Sequence, residues 1–433
     1  MFDSDRKLNL LITTWEGGGS VGPMLTLARK LRDAGHAVRV MSDACNRLET
    51  EATGVRFIPW TRAPSRADRS RDSELIRDWA AASPAEGFAQ AIEQVFAGPA
   101  YAYAEDVIEE LSHEAADLVV TNDFLFGVMA GCESIGQPVV AMACNINLFP
   151  VDDSPVTGPG QSEALSPEEA AQEAMMVEGF RAVFDTGLPA LNTARALLHL
   201  KPLDRLLDQL ACVRTTLVSV SKYFDMVREP VPSGYRYVGP QIDDAAWTDA
   251  WDDGSSRSAC PGAWPLVLVS FSTTFQNHVA VLQRVIDGLS PLPVRVVVTL
   301  GPTIAPEELS PASNTRLVRS APHGPLMREA ALLITHGGHG TLARAMVNRL
   351  PMLVLPHGRD QDGNAARIVA HGAGLMLPPT APAMEIGDAT VRIIGDPTFA
   401  TAAKVLGDHV ARETEQSDIV QQIEQLCRCR AFA

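Results

Sequence analysis

The chain has 433 residues, about three times the usual length of a single domain, so two large domains or three ordinary ones are expected. Apolar residues make up 46% and charged residues 20%, which excludes the disordered, collagen-like and disulfide-scaffold classes. With 52 acidic against 36 basic residues the net charge is -16, and phosphate backbones and anionic membrane surfaces are excluded as partners unless a basic patch overrides the average. None is found: Arg62, Arg66, Arg69 and Arg71 are interleaved with Asp68 and Asp72.

The first residues place acids before bases around a short apolar run, unlike a signal or transit peptide. No apolar stretch approaches the ~18 residues of a membrane helix. The seven scattered cysteines point to a reducing cytoplasm.

In chain order, residues 8–14 form a short apolar run, a Gly-rich turn follows, 24–34 have helical spacing, Gly35 ends them, and 37–41 begin a second strand. This is a βαβ unit, the seed of a parallel sheet. Further strands are expected at 55–59, 118–121 and 138–143. Residues 63–100 read as helices and loops over the sheet, where pocket walls are usually kept. Residues 152–160 are a loop, 167–210 are helical, and 216–219 are another strand. The Pro- and Gly-rich stretch 229–262 is the candidate linker, narrowed to 239–262 for the domain division.

A second alternation then begins: strand 266–271, helix 280–289, strands 294–300 and 315–318, short helix 325–329, strand 332–335, helix 341–347, strand 352–355 and helix 363–371. Residues 399–427 read as terminal helices crossing back over the linker. Two such runs imply two doubly wound α/β domains, 1–238 and 263–433, facing across a cleft.

Two glycine turns compete for the chemistry. Gly17, Gly19 and Gly22 spell G-x-G-x-x-G after a strand, and Asp43 ends the next strand where a ribose-binding acid would stand. An NAD(P) oxidoreductase fits that fragment. Against it, three residues separate the strand from the glycine centre, and Pro23 follows Gly22, which suits a first helical turn rather than tight dinucleotide packing.

The second turn, HGGHGT at 336–341, follows a strand and opens a helix. Backbone N–H groups of Gly337, Gly338, Gly340 and Thr341 at a helix N-terminus suit phosphate oxygens, and His336 can donate to a pyrophosphate. Asp360 and Gln361 follow the next strand, ahead of Gly363 and Asn364, and offer acceptors and donors for sugar hydroxyls. His336-x-x-His339 with His357 or Asp360 could be part of a zinc site, but Gly337 and Gly338 deny it a rigid element, and no metal is expected. His113, His199, His371 and His409 are given no role.

This arrangement resembles the donor-site motif of the family 1 glycosyltransferases, inverting Leloir enzymes of GT-B fold that include plant and bacterial natural-product enzymes. His336, Gly338, Thr341, Asp360, Gln361 and Pro322 match in type and spacing. The segment SAPHGPLM, with His323, resembles the base-binding segment. LVSFSTTF, with Thr273, resembles the loop closing on the pyrophosphate, and GGGSVGPML resembles the acceptor-side turn.

The resemblance implies a general-base histidine in the first turn, oriented by an aspartate about a hundred residues later. Here Ser20 stands at the histidine position, and a serine hydroxyl alone is no base near neutral pH. The aspartate is matched by Asp123, and some bacterial members that lack the histidine lean on it, including enzymes of aromatic polyketides and some that form C-glycosides. The expectation is that Asp123 deprotonates or orients an already acidic phenol or enol, with Trp79 and Phe124 as acceptor contacts.

Two further departures concern the donor. Arg344 replaces a glutamate that often binds both ribose hydroxyls, which admits dTDP- as well as UDP-sugars. Ser320 or Ala321 replaces the aromatic residue that stacks on the base. The resemblance thus implies an inverting hexosyl transfer to a small apolar acceptor through Asp123 and Ser20, with Thr273, His323, His336, Gly338, Gly340, Thr341, Asp360 and Gln361 on the donor. The nucleotide sugar is a co-substrate and no cofactor is implied. The alternatives are a non-catalytic sugar-nucleotide binder and, more distantly, the oxidoreductase; an epimerase of the same fold would need an acid and base pair around the donor that is not found.

Overall fold

The computed structural model describes residues 6–146, 166–227, 230–243, 264–271, 274–321 and 323–428. Seven strands form the first sheet: β1 Asn9–Thr13, β2 Ala37–Ser42, β3 Arg56–Pro59, β4 Leu118–Asn122, β5 Val139–Ala143, β6 Thr216–Val218 and β7 Tyr235–Tyr237. Their order is β3-β2-β1-β4-β5-β6-β7, and every pairing is parallel.

The second sheet contains β8 Leu266–Ser270, β9 Arg295–Thr299, β10 Thr315–Val318, β11 Ala330–Thr335, β12 Met352–Val354 and β13 Gly374–Met376. Its order is β10-β9-β8-β11-β12-β13, again parallel throughout. The central strands β4, β5 and β8 are buried along their whole length. Helices cover both faces of a parallel sheet, so its strands read as continuous apolar runs rather than alternating ones.

Both sheets reverse their order beside the first strand of the alternation, β1 in one and β8 in the other. Ligands of open α/β sheets bind at such switch points, outside the carboxyl ends of the strands. The turn after β1, the residue after β4 and the end of β5 therefore form one wall of the site. The loops after β8, β11 and β12 form the other.

The sequence reading missed β7 and β13, three residues each, too short for alternation to register. The helix expected at 341–347 begins earlier, at His339, and the one expected at 363–371 begins at Gln361. The last helix, Ile419–Arg428, joins the core of the first sheet: Ile419, Ile423 and Leu426 pack with Leu8, Leu10, Val140 and Leu217. The chain end thus closes over the half in which the chain began. Of the expected linker, only residues 239–243 are described. Gly239 has φ +69°, and a Cβ there would stand 2.6 Å from the Glu413 carbonyl, so a side chain at this position meets both strain and backbone.

Candidate functional site at the carboxyl ends of the two sheets

On the first sheet, Ser20 is the N-cap of helix Val21–Asp33, but its side chain makes no cap hydrogen bond. Asp123 is the first residue past β4. Its amide donates to the Met142 carbonyl at 3.2 Å, while its Oδ1 is buried without a hydrogen-bond partner. Burial raises its pKa from 3.8 to about 8, because the carboxylate has lost water and gained no cation. Asn122 braces the position: its Oδ1 accepts from Trp15 Nε1 and from the Phe124 amide, both at 3.2 Å. Asp123 and Ser20 lie on the same wall, since Cys144, whose thiol is next to Asn122 and Asp123, donates to the Ser20 carbonyl at 3.5 Å.

The two expected acceptor contacts fall in different places. Phe124 is 6% exposed and stacks on Phe96 at 4.5 Å, within an aromatic group that includes Phe88 and Phe184. Trp79 stands edge-on to Phe275 of the second half at 5.0 Å, at the seam rather than on the first sheet.

The first glycine turn is filled from within. The Glu16 carboxylate accepts from the Gly18 amide at 2.9 Å and from Arg69 Nε at 3.0 Å, occupying the turn where a pyrophosphate would sit. Asp43 accepts from the backbone amides of Glu16 and Arg66, each at 2.8 Å, and is 1% exposed. The acid that a ribose would need is a brace for the turn, and the dinucleotide reading is set aside on these contacts.

On the second sheet no carboxylate among the described residues fills the turn after β11, although the Gly337 amide donates to Thr335 Oγ1 at 3.4 Å. Gly337 has φ +98°, the left-handed region that glycine occupies without strain, and Gly338 is the N-cap of helix His339–Val347. The amides of the first helical turn lack intrahelical acceptors, although that of Thr341 donates to the Gly338 carbonyl at 3.1 Å. His336 follows β11 and stacks on Phe271 at 6.0 Å. Burial lowers its pKa well below 6.5, so it is a neutral N–H donor near pH 7.

A Cβ on Gly338 would stand 2.6 Å from His336 Nε2, while the backbone there, φ -63°, suits any residue. Gly338→Ala is therefore expected to fold with little change in Tm but to displace the imidazole. Losing one hydrogen bond to a charged group, about 1.5–3 kcal/mol, weakens nucleoside-diphosphate affinity about ten- to a hundredfold, measurable by calorimetry.

After β12, Asp360 is the N-cap of helix Gln361–Ala370 and carries a carboxyl whose pKa burial raises. Gln361 is committed inside the protein: its Oε1 accepts from the His357 amide at 2.7 Å, and its Nε2 donates to Gln276 at 3.0 Å. Asn364 is a residue to which the sequence reading gave no role. Fully buried, its amide donates to the Gly337 carbonyl at 2.9 Å and to Asp360 Oδ2 at 2.8 Å, joining the glycine turn to the carboxylate.

His278 was missed as well. It is the N-cap of helix Val279–Leu289, both its ring nitrogens are buried without partners, and burial lowers its pKa to about 3. Arg344 turns its guanidinium to the Gly340 carbonyl at 3.1 Å and the Asp243 carbonyl at 3.4 Å. Of the remaining expected donor residues, Thr273 and Pro322 lie outside the described residues, and of His323 only the backbone is described, as the start of helix His323–Glu329. Among the described residues no group of three His, Cys, Asp or Glu side chains could hold a metal ion, and no helix is long and apolar enough to cross a membrane.

The two walls are held together across the seam. Arg71 donates to the Thr303 carbonyl at 2.8 Å and to Glu308 at 2.6 Å, with its guanidinium 4.2 Å from the Phe275 ring. Glu74 accepts from the Phe275 amide at 3.2 Å, and Arg359 pairs with Asp78 at 2.7 Å. Deeper in, Arg367 pairs with Asp225 at 2.8 Å, both fully buried. The segment expected to be a wall over the first sheet thus reaches across to the second.

Residues 283–426 match the family model described as "Erythromycin biosynthesis protein CIII-like, C-terminal domain". The chain is 26% identical over 439 residues to 4'-demethylrebeccamycin synthase of Lentzea aerocolonigenes, covering 96% of this chain and 99% of that one. In fold it is similar to the glycotransferase of kitacinnamycin, with a TM-score of 0.74, 18% identity and coverage of 98% and 100% of the two chains. It is likewise similar to glycosyltransferase VinC, solved in complex with dTDP, with a TM-score of 0.66, 19% identity and coverage of 97% and 99%. Two parallel sheets with their carboxyl ends opposed, a glycine turn on one and an aspartate on the other, agree with these likenesses: the chain is similar along its length to bacterial natural-product glycosyltransferases and has the GT-B fold.

Proposed function

We propose that the chain moves a hexosyl group from a UDP- or dTDP-sugar to a small apolar acceptor bearing a phenolic or enolic hydroxyl, or an activated ring carbon, by a single inverting displacement. The observation that carries this reading is the buried carboxyl of Asp123, whose Oδ1 has no hydrogen-bond partner and whose pKa is raised to about 8. A base of that pKa lies within about two units of a phenol, near 10, and is far better matched to it than an ordinary carboxylate. Asp123 takes the acceptor proton as the acceptor attacks the anomeric carbon, and the nucleoside diphosphate leaves from the opposite side. Ser20 lines the acceptor side without acting as base.

His336, Thr273 and the amides around Gly338, Gly340 and Thr341 stabilise charge on the leaving diphosphate through fixed donors, so that no cofactor is required. His323 lies on the base side, Asp360 faces the sugar, and Gln361 acts by bracing the His357 turn. Phe124 shapes the acceptor side from within the aromatic cluster, and Trp79 borders it from the seam. Arg344 is tied to two backbone carbonyls and supplies no carboxylate for a ribose 2′-hydroxyl, which favours tolerance of dTDP. The reading also accords with dTDP bound to VinC. All five described cysteines are free thiols, which accords with a reducing compartment.

Two measurements test the reading. Calorimetric titration is expected to show binding of UDP or dTDP and none of NADH. The product formed from an α-linked donor is expected to carry a β-linkage by NMR coupling constants; retention of configuration would overturn the single displacement.

A further inference from the structure

Asp360 stands between two residues whose side chains hold the loop after β8. On one side of it Arg359 Nη1 donates to Thr274 Oγ1 at 3.2 Å, and on the other Gln361 Nε2 donates to Gln276 at 3.0 Å. Phe275, between those two anchors, is held by the first half: its amide donates to Glu74 at 3.2 Å. Glu74 is fixed from behind by Arg66 at 3.1 Å, both side chains being buried.

Arg359 is gripped by the first half as well. Its Nε donates to Asp78 Oδ2 at 2.7 Å, while Asp78 Oδ1 is buried without a hydrogen-bond partner. Among the described residues, then, the Asp78 carboxylate is committed to that one cation. Arg359 also has φ +58°, the left-handed region, where a residue other than glycine is strained and persists only when its surroundings hold it there. Glycine would relieve the backbone at this turn. What an arginine adds is the pair of contacts to Asp78 and Thr274.

The geometry points to Asp78 and Arg359 as a positioning pair through which the first half sets where Asp360 stands against the donor sugar, so that Asp78 helps to determine sugar choice from outside the donor half. The pair acts through the Asp360 backbone rather than as a ligand. Small misplacements of a group that orients substrate are costly to discrimination and rate while separate binding events stay intact. This deepens the proposed transfer and rests on Asp360 facing the sugar. Arg71 ties the same segment to Thr303 and Glu308, residues that do not adjoin Asp360, and so provides the control.

The test compares Asp78→Asn, Arg359→Gln, the double variant, Arg71→Gln and wild type in the full-length protein. UDP and dTDP are the binding probes, and the UDP- or dTDP-sugar that wild type turns over is set against its single-hydroxyl epimers. Both single variants are expected to lower the preference for that sugar over its epimers about three- to thirtyfold, with diphosphate affinity within about twofold of wild type. The double variant is expected to be no worse than the worse single, as for two residues forming one contact. Arg71→Gln is expected to keep the wild-type preference. Hydrogen exchange of the amides at 358–364, measured without any sugar, is expected to quicken about tenfold in both single variants and not in Arg71→Gln.

Wild-type sugar preference in both single variants would overturn the inference. So would additive losses in the double variant, an equal loss in Arg71→Gln, or diphosphate affinity falling as far as the preference. Should Arg359→Gln fail to fold, Arg359→Gly, whose backbone is unstrained at φ +58°, is read the same way. If wild type glycosylates nothing while exchange at 358–364 still answers to Asp78, the proposed function fails and the positioning contact stands.

Discussion

Asp123→Asn is expected to lower transfer to a phenolic acceptor by about two to four orders of magnitude, the usual contribution of a positioned general base, with UDP or dTDP affinity unchanged because the residue lies on the opposite wall. Wild-type transfer falls with pH as the carboxyl, raised to about 8 by burial, takes up its proton. The rate for the native enzyme therefore rises through about pH 8 and levels above it, and the variant loses that rise. A flat wild-type profile between pH 6 and 9 would remove Asp123 from the reaction.

The same substitution has an opposite effect on stability. Between the ordinary 3.8 and about 8, the folded protein holds a proton on Asp123 that the unfolded chain releases. The contribution of this group is therefore fully present below pH 4 and is lost as pH rises through about 8. Asparagine removes the ionisation, so Tm of Asp123→Asn relative to wild type should climb across that window and be most favourable above pH 8. A variant gaining stability while losing turnover is the signature of a strained functional group rather than a structural one.

His336→Ala is the second large effect. His336 is the neutral donor beside the glycine turn, and its loss removes one preorganised group from the departing diphosphate, worth about a hundred- to a thousandfold in kcat. Unlike Asp123→Asn, it should also weaken UDP and dTDP binding, and the pH profile above 7 should keep its wild-type shape. Equal kcat in His336→Ala and wild type would show that the backbone amides bear the leaving-group charge alone.

The parts of the site that follow from local chemistry were legible in the sequence. The glycine turn at 336–341 announces itself because only glycine accepts the backbone at Gly337 and because Gly338 leaves room for His336. Asp123 is singled out only by the resemblance, as the match to the family's aspartate, and not by its local sequence. What was not legible depends on distant partners. Whether Asp43 is a ligand or a brace is decided by the amides of Glu16 and Arg66, and the choice between those roles leaves no mark on residue spacing. Gln361 reads as a sugar ligand until Gln276, 85 positions away, is seen to hold its amide.

His278 is overlooked for the same reason: a lone histidine at a helix start gives no sign of what it faces. The spacing of Ile419, Ile423 and Leu426 marks an apolar helix face, but not that it closes on the first sheet. Trp79 reads as an acceptor contact because residues 63–100 read as a pocket wall over the first sheet, whereas Arg71, Glu74 and Asp78 carry that segment to the second half.

The central claim is tested most directly by mass spectrometry of products after incubation with a panel of UDP- and dTDP-sugars and aromatic hydroxylated acceptors. A mass gain equal to one anhydrohexose unit on a phenolic acceptor, with release of the matching nucleoside diphosphate, is the predicted result. Nucleotide binding with no glycoside formed across the panel, or glycoside formed only on alkyl alcohols, would contradict it.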